Sequence, residues 1–160
     1  MRWLLVDVID ELVINSIVRG RKTYQADEEF FQDHFPAFPV VPGVLIMESL
    51  AQIAGKLIGY SVLQNRGDWP FPILSMMNNV KFRKFIPPAT EIALEAELTS
   101  LRDEMAVVKV RARVGKKIHA RAEQVFVFNA VPISDPEERE RVERIESAEL
   151  RRLWASAPTN

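Results

Sequence analysis

The chain has 160 residues, with 21 Lys plus Arg against 22 Asp plus Glu, two histidines and no cysteine. That length suits one domain whose core needs no covalent staple. The missing cysteines exclude a disulfide framework, a thiolate nucleophile and a cysteine-based metal site and fit a reducing compartment, while the near-neutral charge gives no reason to expect a nucleic-acid partner.

The apolar run Trp3 to Val6 is broken by Asp7 and Asp10 before it reaches the length of a signal-peptide core, so no secretion signal is expected. Residues 3–18 read as an edge strand or a short helix, and Val18 to Tyr24 as a strand with its charges outward. The acidic and aromatic segment Asp27 to Phe31 leads into the stretch from His34 to Gly43, where Pro36, Pro39 and Pro42 fix φ and hold the residues before them extended. Such a loop keeps its shape at low entropic cost and is a rigid mount for a histidine.

From Val44 onward Leu45, Leu50, Ile53, Ala54, Leu57 and Ile58 follow a helical period and predict a long, mostly buried helix. Glu48, Ser49, Gln52 and Lys56 make it too polar for a membrane span. Pro42-Gly43 leaves the first helical amides exposed, a place that stabilises an oxygen carrying negative charge. Asn65 to Asp68, with Pro70 and Pro72, end the helix in a loop.

The rest reads as strands: Ile73 to Phe85, then Glu91 to Leu98 with acidic residues outward, then Val108 to Val114 with basic residues outward. The acidic and basic rows are expected to pair across strands. Gly115-Lys116 predicts a tight turn into Ile118 to Glu123, with a bulge near Gln124 and Val125 where alternation slips. One buried helix and an antiparallel sheet imply an α+β fold in which the sheet wraps around the helix, and a free sheet edge invites a partner subunit.

Asp135 to Trp154 predicts a C-terminal helix, capped by Ser134 or Asp135, with Pro136 at its first position and an irregular stripe of Val142, Ile145, Leu150, Leu153 and Trp154 that packs on the domain or a partner. Ala157 to Asn160 are expected to fray. The organisation expected is a main domain over residues 1–132 and a helical extension over 133–160.

Glu48 is one of few ionisable groups in an apolar run, so it is exposed, paired or protonated; Gln52, one turn on, stands where it can fix the carboxylate. Glu48, Gln52 and Lys56 read equally well as a wet helix edge. His34 alone reads as a structural residue or a base. Beside Glu48 and the Gly43 amide it completes a set of base, acid and oxyanion donor. His119 is expected on the charged outer face of its strand. No metal is expected, and the chain lacks dinucleotide-binding, phosphate-loop and serine-elbow motifs.

His34-Phe35-Pro36, Pro39, Pro42 to Glu48 and Ala51-Gln52, with matches at Leu4 to Asp7, Phe30-Phe31, Lys81 to Pro88 and Gly115 to Glu123, resemble the bacterial (3R)-3-hydroxyacyl-acyl-carrier-protein dehydratases of the hot-dog fold. The resemblance covers most of residues 3–128. With no secretion signal or membrane span the protein is expected in the cytoplasm, and the resemblance implies a homodimer, or a trimer of such dimers, with a composite site in which His34 of one subunit is the base and Glu48 of the other is the acid. Gly43 would supply the oxyanion amide and Gln52 would support the carboxylate. The enzyme would bind no cofactor, because the substrate brings its own phosphopantetheine on an acyl carrier protein. Carrier contacts are expected at Arg21 and Lys22 or at Lys81, Arg83 and Lys84, each cluster otherwise a solubilising face; Phe38, Phe82 and Phe85 line an acyl tunnel or belong to the core. Glutamate at 48 resembles the dehydratase-only branch.

Asp33, Ala37, Ala89 and Thr90 depart from the family pattern, which favours glycine at the first three positions and aspartate at the fourth. Two other readings share the pocket: a hot-dog thioesterase or coenzyme A ester hydratase, and a non-catalytic carrier-binding or assembly subunit.

Overall fold

The computed structural model describes residues 3–158; the expected fraying of Ala157 to Asn160 lies partly outside them, at Thr159 and Asn160. Strands β1 (Val8–Val13) and β2 (Ile17–Thr23) precede a short helix α1 (Phe30–Asp33) and the long helix α2 (Gly43–Arg66). Strands β3 (Ile73–Phe82), β4 (Glu91–Leu101), β5 (Met105–Val114) and β6 (Lys117–Val127) follow, and α3 (Pro136–Leu153) closes the chain. The strands form one six-stranded sheet in the order β1-β2-β4-β5-β6-β3, and every neighbouring pair is antiparallel. Residues 3–18 thus hold an edge strand.

The inner face of the sheet is built from Ile92, Leu94 and Ala96, from Val108, Val110 and Ala112, and from Ala120 and Ala122, all buried against α2. Alanine at four of these positions lets the helix lie close, and Leu50, Ile53, Leu57 and Ile58 of α2 have no exposed surface. Each such side chain contributes roughly 1.5–3 kcal/mol by leaving water. The fit leaves no room for a side chain at Gly20, where a Cβ would stand 2.7 Å from Ile53 Cδ1 and collide with the Val8 carbonyl.

The outward rows pair as charge alternation predicts. Glu95 lies between Arg19 of β2 and Arg111 of β5, with Arg19 Nε donating to it at 3.0 Å. Burial alone would raise the Glu95 pKa, but the hydrogen bonds and charges of Arg19 and Arg111 outweigh it and hold the carboxyl below its usual range.

Two sequence expectations change. The register shift in the β5–β6 ladder falls at Ala112/Arg113, where Ala112 faces Ala120 and Arg113 faces Ile118, so His119 is the extra residue. A bulge redirects its side chain: His119 is half-buried rather than outward, and its carbonyl accepts the Arg83 amide at 2.7 Å. Gln124 keeps the inward phase of β6, donating to the Met47 carbonyl at 3.1 Å, and the bulge expected near it lies on the facing strand: Leu74 faces Phe126 and Met76 faces Val125, so Ser75 of β3 is the extra residue.

Helix α3 starts as expected, with Asp135 accepting the Glu137 amide at 3.0 Å and Pro136 at its first position. Leu150, Leu153 and Trp154 join the main core, and Trp154 meets Tyr60 edge to face at 5.5 Å. Ile145 stays exposed.

Candidate active site

The loop from His34 to Gly43 is stiffened by more than its prolines. His34 and Val40 exchange two contacts: the Val40 amide donates to the His34 carbonyl at 3.0 Å, and His34 Nδ1 lies 3.2 Å from the Val40 carbonyl. A carbonyl only accepts, so Nδ1 is the donor, and in the neutral ring the lone pair is therefore on Nε2. The imidazole stacks on Phe35 at 4.2 Å. One residue on, the Val41 amide donates to the Ile86 carbonyl at 2.8 Å and ties the loop to the chain leading into β4.

Gly43 is the first residue of α2, where the amide has no partner within the helix. The Phe82 ring covers its Cα so closely that a Cβ would stand 2.7 Å from Phe82 Cε1. Buried Tyr24 holds the same helical turn: its hydroxyl donates to the Leu45 carbonyl at 3.0 Å and lies 2.6 Å from Ser49 Oγ. Burial pushes the Tyr24 pKa up to about 12, against the opposing hydrogen bond with Ser49.

Glu48 sits at the border of a cleft of about 510 Å³. Its Oε1 accepts from Gln52 Nε2 at 3.1 Å and from the indole Nε1 of Trp3 at 3.1 Å. Gln52 is itself fixed, since its Oε1 accepts the Leu5 amide at 2.8 Å. The Gln52–Glu48 contact is the one expected from their spacing on the helix; the contacts of Trp3 and Tyr24 were not foreseen, because neither residue carries a periodic or motif signal. Both donors meet the same oxygen, Oε1, and together they fix the orientation of the carboxyl group.

Lys56 does not line a wet edge. It is buried, with Nζ 2.7 Å from both Glu146 and Glu149 of α3. Within one chain His34 is not among the residues lining the Glu48 cleft. Phe38, Phe82 and Phe85 are exposed rather than core, and Phe38 meets Phe85 edge to face at 5.7 Å.

Of the two basic clusters, Arg21 is engaged by Asp10 and Glu91, and Lys22 by Asp7 and the Tyr24 ring. Lys81, Arg83 and Lys84 form no ion pair among the described residues, and the neighbouring ammonium of Lys117 lowers the Lys84 pKa. Among the described residues no group of three or more acidic or histidine side chains is arranged to hold a metal, and no helix is long and apolar enough to cross a membrane.

A long helix wrapped by an antiparallel sheet, with a carboxyl on the helix and a histidine on the loop entering it, is a hot-dog fold bearing acid/base side chains. The FabA-like domain matches residues 3–123, and the chain belongs to that family. The 3-hydroxyacyl-[acyl-carrier-protein] dehydratase FabZ of Levilactobacillus brevis is 40% identical over 127 residues, spanning 79% of this chain and 84% of the relative. Its counterpart from Clostridioides difficile is 36% identical over 126 residues, 79% and 87% of the two chains. Among solved structures, the dehydratase heterocomplex ApeI:P from Xenorhabdus doucetiae superposes with TM-score 0.65 at 12% identity, covering 88% of this chain and 89% of that one. A Streptococcus mutans protein bound to acetyl CoA superposes with TM-score 0.58 at 13% identity, over 76% and 87%. At those identities the likeness shows the fold.

Proposed function

We propose that the chain is a 3-hydroxyacyl-[acyl-carrier-protein] dehydratase of fatty-acid biosynthesis, acting in the cytoplasm as a homodimer with composite sites. The observation that carries this reading is the pair of oriented groups: His34, whose Nδ1 is occupied by Val40, and Glu48, whose Oε1 is occupied by Trp3 and Gln52. His34 Nε2 takes a proton from the carbon next to the thioester carbonyl. Electron density moves onto the thioester oxygen, which the Gly43 amide stabilises at the start of α2. As the double bond forms, the carbon–oxygen bond at C3 breaks and the hydroxyl leaves as water with the carboxyl proton of Glu48. Both proton transfers use side chains, so the reaction needs no bound cofactor.

The dimer is supported by β3, which ends the sheet with a free edge and exposes Ile73, Met76, Met77, Val80 and Phe82. Pairing along that edge would give each cleft a histidine from the other subunit. Phe38, Phe82 and Phe85 form the entrance for the acyl chain, and unpaired Lys81, Arg83 and Lys84 suit an acidic carrier protein better than paired Arg21 and Lys22. The hot-dog unit over residues 1–132 carries the chemistry, and residues 133–160 are an extension of it.

Purified protein incubated with 3-hydroxyacyl thioesters on carrier protein and on coenzyme A, followed by enoyl absorbance and free thiol together, tests this. His34→Ala and Glu48→Gln should each lose about a hundredfold to ten-thousandfold in enoyl formation. Activity surviving in both variants would sink the site, and thiol release without enoyl product would make the protein a thioesterase. The two variants refolded together should regain activity, since a mixed dimer contains one intact site; no recovery in verified mixed dimers overturns the composite arrangement.

A further inference from the structure

The Glu48 cleft continues along α2 over Ala51 and Gly55, and a Cβ on Gly55 would meet nothing within 4 Å. One turn beyond, the Trp69 indole lies directly on Gly59 and closes the floor. The opposite wall comes from α3, through Val142, Glu146 and Glu149. This helix lies beyond the matched family segment, which ends at residue 123. It is locked to α2 by Lys56, a buried cation that only its two carboxylate partners make tolerable in that place.

We propose that α3 is the far wall of the acyl-binding cleft and that the Lys56–Glu146–Glu149 cluster, with Trp69, sets the longest acyl chain admitted. The choice of ligand rests on the dehydratase reading. From Glu48 to Gly55 the helix rises about 10 Å, room for about eight carbons; with C3 held at Glu48 this admits an acyl chain to about C10 or C11, so octanoyl fits and dodecanoyl overruns. The walls along this stretch are mainly apolar, including Phe126, Ile133 and Val142, and suit methylene groups. A longer chain reaches the three charges and the indole, where its terminal methyl would have to displace paired ions. A chain-length limit follows from an apolar cleft that ends in charge.

The test uses the full chain and two readouts. Calorimetry measures binding of the unreactive saturated butanoyl, octanoyl and dodecanoyl pantetheine thioesters, and enoyl absorbance follows the matching 3-hydroxyacyl thioesters. The wild type should prefer octanoyl to dodecanoyl by at least about tenfold in affinity and in kcat/KM, within the range that one or two misplaced methylenes command. Gly55→Leu should lower the octanoyl-to-butanoyl ratio by about tenfold or more. Lys56→Met combined with Glu146→Gln and Glu149→Gln should raise the dodecanoyl-to-octanoyl ratio, and retained α3 packing is checked by Trp154 fluorescence. A Gly55→Leu ratio equal to that of the wild type, or a wild type indifferent to chain length, overturns the proposal. Absence of enoyl product from every thioester defeats the dehydratase reading instead, and the calorimetric ratios still decide the cleft.

Discussion

Replacing Gln52 with leucine tests how Glu48 is aimed. In the native site Gln52 Nε2 donates to Glu48 Oε1 at 3.1 Å while Gln52 Oε1 accepts from the Leu5 amide at 2.8 Å. The substitution keeps the helical residue and approximate volume but deletes both contacts. Trp3 remains as a donor to Oε1, yet its indole is exposed and holds the carboxyl less firmly. A hydrogen bond to an ionisable group contributes about 1.5–3 kcal/mol, and each 1.36 kcal/mol is tenfold in rate, so kcat should fall about tenfold to a hundredfold. Losing the partner of the Leu5 amide should also lower stability by about 1–3 kcal/mol, read from urea unfolding. Gln52 is a positioning residue in this account, so the informative measurement is the split between kcat and KM at a temperature where the variant is fully folded. A rise in KM with unchanged kcat would show that Gln52 holds substrate and not the acid, and an unchanged kcat and KM would refute the whole arrangement.

Tyr24 and Ala89 offer tests of the frame behind the site. The Tyr24 pKa of about 12 exceeds its unfolded value of 10.0, so its contribution, on the order of 3 kcal/mol, is complete below pH 10 and disappears as pH rises through about 12. Tyr24→Phe should therefore flatten the difference between stabilities measured near pH 9 and near pH 12 relative to the wild type; an identical alkaline loss in both proteins would show that other groups carry it. Ala89 stands at φ 56, in the left-handed region where a Cβ costs about 1–2 kcal/mol, and its amide donates to the Tyr24 carbonyl at 2.7 Å. After the entropy a new glycine adds to the unfolded chain, Ala89→Gly should raise stability by about 0.5–1 kcal/mol in urea unfolding, and a loss of stability would refute the strain.

Much of this arrangement was legible because it is periodic or punctuated. The α2 core positions repeat with a helical period, Gly115 at φ 60 marks the β5–β6 turn, and Asp135-Pro136 announces α3. The cross-strand charge rows were legible for the same reason. What stayed hidden depends on contacts between residues far apart in the chain. Trp3 and Glu48 are separated by 45 positions, and Lys56 and Glu146 by 90, so no local pattern joins them. His119 misled because alternation assumes an unbroken strand, and a single extra residue cancels that assumption. Lys56 misled for another reason: a lysine on a helix reads as solvated unless the element that buries it is known.

The departure at Ala89 also bears on how His34 is held. The loop carrying His34 is tied by Val41 to the Ile86 carbonyl, and three residues later Ala89 is tied to Tyr24, whose hydroxyl reaches the first turn of α2. The loop of His34, Gly43 and the residue at the unusual φ therefore belong to one circuit of chain and hydrogen bonds around the helix start. Strain at Ala89 can persist because that circuit determines its conformation from both sides. A proline-stiffened loop alone would fix only its own shape. It is the attachment to Ile86, and through Tyr24 to Leu45 and Ser49, that ties the shape of the loop to the helix presenting Gly43 and Glu48.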